Sequence, residues 1–516
     1  MSDPTQPAAA ATPDLPSEPG EPSATPAPGG SPGGLRQKAV TGVMWTATEK
    51  WSLKLSTLVG FIILGNLLSP VDFGIVALAM SFIGFLTTLA DGGFSAYLVQ
   101  KQRLTSAITS TSFWSTSALA LLLALALVAL APLFSRLLDV PELTAVLRAL
   151  ALALFISGLS VVPAALMSRE MQFKQLAIRQ ISATVVSVVV AIALALGGAG
   201  VWALVAQTLV RSVVALIILW LSTDFRPRFT FDRGEARAMT SYGSKSLAVG
   251  MQVQLRAQGQ LLIIGALAGP VVVGYWTVAG RLVGVVVDVF SSVVGAVAHP
   301  VFARLQGSPE RLSRALSSTR ALSSLVLVPA LVLLALVSKD VVPAVFGDQW
   351  TPTTTVASLL AMSALFNMVT RFDRSALLAT GHPGAELWVT TVFMVIQLGL
   401  AALFATDLEL LAAATGLSMV VAVPVRLLVV RRLLGVPLRG VVPTALVLLA
   451  GGLAAAAVLG AEALLGLEDW AYVSLAVVIG MVVYVGVILL VARPVVLEAV
   501  GMVPARLRRR LRLPGA

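Results

Sequence analysis

The chain has 516 residues, of which 57% are hydrophobic and only 12% are charged, and its mean hydropathy is +0.92. Soluble domains carry roughly 25% charged residues, so this composition excludes an ordinary water-soluble fold. The net charge is +11, and the Lys and Arg residues lie in short loops between apolar segments. This placement favours a role in membrane topology over nucleic-acid binding. Cysteine is absent, which excludes disulfides and thiol chemistry.

The first 34 residues are rich in Pro, Ala, Ser and Gly and contain no basic residue. This composition predicts a disordered cytoplasmic tail. Neither the basic start nor the short apolar core of a signal peptide is present in it. We therefore expect the first membrane span to direct insertion.

Long apolar segments follow one another through the rest of the chain. Each is long enough to cross a hydrocarbon core about 30 Å thick at 1.5 Å per helical residue. The pattern predicts an all-α polytopic membrane protein with about 14 spans, at residues 40–68, 71–98, 109–134, 143–166, 176–197, 200–222, 239–268, 271–299, 318–338, 353–370, 386–405, 408–430, 440–460 and 470–492.

Lys and Arg collect in alternate loops, as the positive-inside rule requires of cytoplasmic loops. Arg136 and Lys339 are the only basic residues in the loops of the opposite side. We therefore predict a multi-pass protein of a bacterial cytoplasmic membrane with both termini in the cytoplasm. Among the charges that we assign to the cytoplasmic loops are Lys101, Arg179, Arg228, Arg320, Arg371, Arg374 and Arg426.

A segment near the start of the chain recurs 200 residues later, as GNLLSPVDFG from Gly65 and GALAGPVVVG from Gly265. A weaker echo pairs LLDVPE, ending at Glu142, with VFGDQWTP, ending at Pro352. Both predict a six-helix unit repeated once in parallel orientation, with a transport site between the halves. The expected organisation is a tail (1–34), an N-lobe (35–222), a cytoplasmic linker (223–238), a C-lobe (239–434), two extra helices (435–494) and a basic cytoplasmic tail (495–516).

Charged residues inside the predicted spans are the best candidates for a site, because a charge at the bilayer centre costs about 2.5 to 3.5 kcal/mol. We predict that an anionic head group is bound by Lys54, Arg256, Arg281, Lys50, Arg211 and Lys245. Guanidinium groups bind phosphate oxygens through paired hydrogen bonds, so phosphate or pyrophosphate is the expected ligand. Internal ion pairs, such as Arg281 with Asp288, or lysines that extend to the interface, are the structural alternative.

Three acids lie at or near membrane depth: Glu49, Asp91 and Asp288. They are candidates for a coupling-ion site or for ion pairs, and a helix end explains Asp91 equally well. His299 and His382 are far apart, and residues 243–246 lack the spacing and the preceding strand of a phosphate-binding loop. We expect no catalytic residue, no metal and no cofactor.

Four segments resemble the polysaccharide-export branch of the MOP flippase superfamily: LADGGFSAYLVQ ending at Gln100, SREMQFKQLA from Ser168, GAGVWALVAQ from Gly198 and FGDQWTP from Phe346. The resemblance covers roughly residues 36–495 and is greatest to Wzx-type oligosaccharide flippases. It implies two six-helix lobes, a cationic central cavity, and alternating access that carries an undecaprenyl-pyrophosphate-linked oligosaccharide to the outer leaflet. The expected partners are this lipid-linked oligosaccharide, membrane lipids and a polysaccharide polymerase or ligase machinery, without nucleic acid.

Other functions make different predictions from the same sequence. A MATE-like exporter of small organic cations shares the fold and should place acids in its cavity. A membrane enzyme should carry a large polar loop or a catalytic domain, which the loop lengths do not provide. A purely structural protein would leave the buried charges beside a repeat unexplained.

Overall fold

A computed structural model of the protein describes Lys54 and residues 56–305, 308–466 and 469–492. The described residues form helices and no strand, which confirms the all-α class. Glu49, Lys50, the two predicted tails and the side chain of Lys245 lie outside the described part of the chain.

The described residues of the first half form seven helices joined by short turns. They are α1 (Ser56–Leu67), α2 (Pro70–Asp91), α3 (Phe94–Gln100), α4 (Ser106–Leu137), α5 (Leu143–Arg169), α6 (Phe173–Leu196) and α7 (Val201–Ser222).

The second half begins with a very long helix, α8, and ends with two helices beyond the predicted repeat, α14 and α15. Its described helices are α8 (Arg233–Arg304), α9 (Pro309–Phe346), α10 (Thr351–Val369), α11 (Asp373–Ala379), α12 (Pro383–Phe404), α13 (Leu408–Leu434), α14 (Val442–Leu465) and α15 (Asp469–Val491).

Helix α8 supplies two of the predicted spans. Gly269 interrupts it with φ 79° and ψ 177°, a backbone conformation that glycine adopts without the steric cost of a Cβ. The interruption separates a first arm (residues 233–268) from a second arm (residues 270–304). Twelve described helices are long and apolar enough to span a membrane, one of them the apolar part of α8, and the shorter apolar α1 lies beside them. The prediction of about 14 spans is confirmed.

The second predicted span is shorter than we expected. We predicted a single helix over residues 71–98, whereas α2 ends at Asp91 and α3 begins at Phe94. Gly92 and Gly93 have φ values of 56° and 76°, which end the first helix. Asp91 accepts hydrogen bonds from the hydroxyl and backbone amide of Ser95, so its carboxylate stabilises this helix break.

The two copies of the repeated segment pack against each other. Gly74 of α2 lies directly on the backbone carbonyl of Pro270, and Gly274 lies on the carbonyl of Pro70. Reciprocal contacts between equivalent residues are what a two-fold relationship produces. The contact agrees with the parallel repeat that the sequence predicts.

Helix α2 continues along the first arm of α8 from this contact to its other end. Ser81 donates a hydrogen bond to Gln258 at 3.1 Å, and Gln254 donates one to the carbonyl of Gly84 at 2.5 Å. Beyond them, Gly93 meets the backbone of Gly243. One side of the molecule between the two halves is therefore closed along the full length of α2.

The junction between α3 and α4 is tied to the start of α8. Lys101 lies 2.6 Å from the Glu235 carboxylate and donates a hydrogen bond to the Tyr97 hydroxyl at 2.7 Å. The hydrogen bond to Glu235 is the main cause that raises the pKa of Lys101 above its ordinary value of 10.5. Lys101 is therefore a charged link between the two halves at neutral pH.

Helices α14 and α15 pack on α9. The Tyr484 hydroxyl donates a hydrogen bond to the carbonyl of Leu325 at 2.8 Å, and Gly451 lies against the side chain of Val328. These helices are thus fixed to the second half of the chain by specific contacts.

One arginine that we assigned to a cytoplasmic loop is buried instead. Arg320 of α9 is 1% exposed and forms an ion pair with Asp373 of α11, whose side chain is fully buried. A charge near a helix end has the same sequence signature whether it faces water or a buried partner, so the loop assignment of Arg320 is wrong.

Candidate functional site

A large cavity, here called the first cavity, lies among α1, α2, α5, α6, α7 and the second arm of α8. Its volume is about 760 Å³, within the range of ligand-binding cavities. Three arginines reach it: Arg179 from α6, Arg211 from α7 and Arg281 from α8. No Asp or Glu is among the described residues that line it. The first cavity is therefore cationic.

Arg281 is held at the edge of this cavity by an aromatic ring. Its guanidinium carbon lies 4.9 Å from the centre of the Phe61 ring, a cation–π distance that leaves the guanidinium N–H groups free to turn toward the cavity. Arg211 lines the same cavity as Arg281. Two like charges placed close together in a partly apolar site favour the binding of an anion between them.

Neutral polar groups complete the wall of the first cavity. Gln180 and Thr184 come from α6, and Gln207 and Thr208 come from the neighbouring α7. Amide and hydroxyl groups both donate and accept hydrogen bonds, which suits a ligand with many hydroxyls.

A smaller pocket of about 380 Å³ adjoins the first cavity between α1 and the second arm of α8. Thr57 and Arg281 line both spaces, and the pocket adds Lys54 and Asp288. A further cation, Lys54, thus lies beside the first cavity, together with one acid.

A second cavity of about 530 Å³ lies in the other half of the molecule, among the first arm of α8 and helices α10 to α13. Arg256 lines this cavity, together with Arg371, Arg374 and Arg426. One acid is among them: Glu386 is 8% exposed, is ion-paired with Arg426, and lies 4.0 Å from Arg374.

The structure brings together some of the predicted site residues and separates others. Lys54, Arg211, Arg281 and Asp288 surround the first cavity and its adjoining pocket. Arg256 lies in the second cavity instead. Asp91 caps a helix break, while Glu49, Lys50 and the side chain of Lys245 fall outside the described residues.

Sequence reasoning missed four cavity arginines: Arg179, Arg371, Arg374 and Arg426. We assigned them to cytoplasmic loops because each lies near the end of an apolar segment. A signal was available, since Arg179 stands on a helical stripe with Gln180, Thr184 and Ser187, and a polar stripe within a membrane helix predicts a cavity face.

A family model described as polysaccharide biosynthesis protein matches residues 63–355, which is more than half of the chain. The chain belongs to this family. Similar curated proteins include the succinoglycan biosynthesis transport protein ExoT of Rhizobium meliloti (strain 1021), 29% identical over 333 residues that cover 64% of this chain and 67% of that protein. Another is the teichuronic acid biosynthesis protein TuaB of Bacillus subtilis (strain 168), 24% identical over 372 residues that cover 71% and 77%.

Solved structures of the MOP superfamily have the same fold as this member of the polysaccharide biosynthesis protein family. The lipid II flippase MurJ in an inward closed conformation superposes with a TM-score of 0.72 at 11% identity, covering 88% of this chain and 100% of that one. An inward-facing MATE family multidrug transporter gives a TM-score of 0.59 at 17% identity, covering 74% and 94%. The resemblance to the polysaccharide branch of the MOP superfamily is confirmed, and the protein is a multi-pass membrane transporter of polysaccharide biosynthesis.

Proposed function

We propose that the protein is a flippase that moves a lipid-linked oligosaccharide, of the undecaprenyl-pyrophosphate type, from the inner to the outer leaflet by alternating access. The observation that carries the proposal is the meeting of Arg211 and Arg281, from opposite halves of the chain, in one cavity with polar walls. Their partner would be the pyrophosphate, since oxyanions accept paired hydrogen bonds from guanidinium groups. The names of ExoT, TuaB and MurJ, which concern polysaccharide and lipid-linked substrates, support the same class of cargo.

The placement of the charges suits a cargo that stays attached to its lipid. Lys54 and Arg281 line the pocket beside the second arm of α8, whereas α2 is in close contact with the first arm of α8. A head group would enter beside Lys54 and be transferred to Arg211 and Arg281. Because Arg281 lines both spaces, it would contact the phosphates throughout this transfer.

A MATE-like exporter of organic cations is the alternative with the same fold. It would need an acid facing its ligand, and the first cavity presents three arginines and no described acid. Asp288 in the adjoining pocket lies with Lys54 and Arg281, so its charge is offset there. The electrostatics thus favour an anionic cargo.

The function is tested by deleting the gene in the host and quantifying extracted lipid-linked oligosaccharides with a label that cannot cross the membrane. We expect them to accumulate on the cytoplasmic face, because the head group cannot cross unaided. Unchanged amounts and sidedness in a host without a redundant transporter would contradict the proposal.

The site is tested in the same host by complementation. Arg281→Gln and Arg211→Gln should abolish rescue at normal protein levels, because each removes a charge from the first cavity. Arg432→Gln is the matched control, an exposed arginine in the last turn of α13, and it should rescue fully. Full rescue by both cavity variants would exclude the first cavity as the head-group site.

A further inference from the structure

The positively charged residues that line the second cavity outnumber the negatively charged ones. Arg256, Arg371, Arg374 and Arg426 line it with a single acid, Glu386. They come from α8, from the turn after α10, and from α11 and α13. Tertiary packing therefore brings them together, since no local sequence motif contains them. Grouped like charges in a partly dry site are costly unless an anion accompanies them.

Glu386 is engaged by two of the four arginines. It pairs with Arg426, lies 4.0 Å from Arg374 and also accepts a hydrogen bond from the Thr390 hydroxyl at 2.9 Å. Across the described ranges, Arg256 and Arg371 make neither a hydrogen bond nor an ion pair with another residue. The Nε of Arg426 is buried and has no described partner either. Guanidinium donors are thus available on Arg256 and Arg371, and the buried Nε of Arg426 is unsatisfied.

The remaining wall of the second cavity is suited to a sugar. Asn367, Thr370 and Gln397 contribute amide and hydroxyl groups, and Phe393 and Met394 contribute apolar surface. This combination matches the hydroxyls and the C–H faces of a saccharide. A site made only for a small inorganic anion would not need so large or so mixed a wall.

The second arm of α8 and helix α10 connect the second cavity with the proposed head-group site. Val286 and Val287, beside Asp288 of the adjoining pocket, pack with Ala364 and Leu365 of α10, and Arg371 follows that helix. A glycan attached to a pyrophosphate in the first cavity would therefore lie near the second.

We propose that the second cavity binds a carboxylate carried by the glycan, so that the protein selects oligosaccharides that contain an acidic sugar. This inference rests on the proposed flippase function and adds the class of glycan. Arg256 and Arg371 bind the carboxylate, and Asn367, Thr370 and Gln397 bind hydroxyls of the same sugar. Glu386 is an internal counter-ion that competes with the incoming carboxylate for Arg426.

The test measures equilibrium binding to the full-length protein in lipid nanodiscs. The probes are tri-galacturonate, an uncharged trisaccharide of the same length, inorganic phosphate and inorganic pyrophosphate. We expect tri-galacturonate to bind at least tenfold more tightly than the uncharged trisaccharide. The double variant Arg256→Gln/Arg371→Gln should weaken tri-galacturonate binding at least tenfold while retaining pyrophosphate binding, which is assigned to the first cavity.

Two further variants separate the cavities and test the counter-ion. Arg211→Gln, in the first cavity, should weaken pyrophosphate binding and leave tri-galacturonate binding intact. Glu386→Gln should strengthen tri-galacturonate binding severalfold, because it removes a competing carboxylate. A merely structural role for Glu386 would weaken both ligands. Should the double variant fail to fold, Arg256→Gln alone is the substitute, since Arg256 is exposed to the cavity.

Tri-galacturonate that does not bind, or that binds the double variant as tightly as the parent, would overturn the proposal. Inorganic phosphate that competes with tri-galacturonate at equal concentration would assign the site to a free oxyanion and overturn the glycan assignment. If every variant, including Arg211→Gln, still binds pyrophosphate as tightly as the parent, the head-group site in the first cavity is contradicted and the glycan site is not. The two proposals therefore fail by different measurements.

Discussion

At the scale of single residues, close backbone contacts explain why small side chains recur at fixed spacing. A Cβ added to Gly74 would overlap the carbonyl oxygen of Pro270, and one added to Gly274 would overlap that of Pro70. A backbone carbonyl within a packed helix pair cannot rotate away as a flexible side chain can. The repeated glycines thus allow the two halves of the chain to touch.

Gly74→Ala should therefore destabilise the protein by about 1–3 kcal/mol, the usual cost of overpacking. The measurement is thermal unfolding in detergent of the parent and the variant. Gly399→Ala is the matched control, because nothing lies within 4 Å of a Cβ at that helical position, and alanine favours a helix over glycine by up to about 1 kcal/mol. Equal melting temperatures for Gly74→Ala and the parent would contradict the close contact.

The buried ion pair between Arg320 and Asp373 gives a second prediction at this scale. Arg320→Leu leaves a buried carboxylate without its partner, which costs about 3–5 kcal/mol. Arg320→Leu/Asp373→Leu should recover most of that loss, because no unpaired charge remains. Denaturant unfolding in mixed micelles measures both variants.

The control is Lys339→Leu. It removes the ion pair between Lys339 and Glu462, in which the lysine side chain is 48% exposed. An exposed pair contributes at most about 1 kcal/mol, so its loss should be small. If the double variant is as unstable as Arg320→Leu alone, the unpaired charge is not the cause of the loss. The ion pair itself would then stabilise the fold.

At the scale of elements, α2 and α8 form one continuous contact between the two halves. It extends from Gly74 and Pro270 through Ser81 and Gln258 to Gly93. Alternating access requires the halves to move relative to each other, so some of these contacts must open during a transport cycle. Locking them should stop transport.

The pair Thr88 and Gly250 is suited to such a lock, since a Cβ on Gly250 would lie 2.9 Å from the Cγ2 of Thr88. Disulfides require Cβ atoms about 3.5–4.5 Å apart. Because Cγ2 is bonded directly to the Cβ of Thr88, the sulfur of a cysteine at position 88 would start from the same place and lie close to position 250. In Thr88→Cys/Gly250→Cys we expect oxidation to abolish transport and a reductant to restore it. The chain has no cysteine of its own, so each single-cysteine variant is a direct control. Undiminished transport by the oxidised double variant would show that this contact does not open.

At the scale of the whole molecule, the even number of predicted spans and the basic residues in alternate loops predict that both termini lie on the cytoplasmic side. Thr230 lies in the exposed loop between α7 and α8, and Glu142 lies in the exposed turn between α4 and α5. These loops are separated by three helices, so they should face opposite sides of the membrane.

Thr230→Cys should therefore react with an impermeant maleimide only in permeabilised cells, whereas Glu142→Cys should react in intact cells. Mass spectrometry of the labelled protein measures both reactions. Labelling of both positions from the same side would contradict the predicted topology.

The sequence by itself determined the membrane class, the approximate number of spans and the repeat. These properties are local: an apolar segment of sufficient length becomes a helix in lipid whatever its neighbours are, because every backbone polar group must be satisfied within it. The recurrence of Gly65, Pro70 and Gly74 at a fixed offset is likewise visible without any contact being known.

Only the tertiary structure decided which charges share a cavity. Arg256 is closer to Arg281 in sequence than Arg211 is, yet Arg211 joins Arg281 in the first cavity and Arg256 joins Arg426 in the second. The direction in which a helical side chain points depends on packing between helices that are distant in the chain. For the same reason the sequence could not distinguish Arg320, buried against Asp373, from an arginine of a cytoplasmic loop.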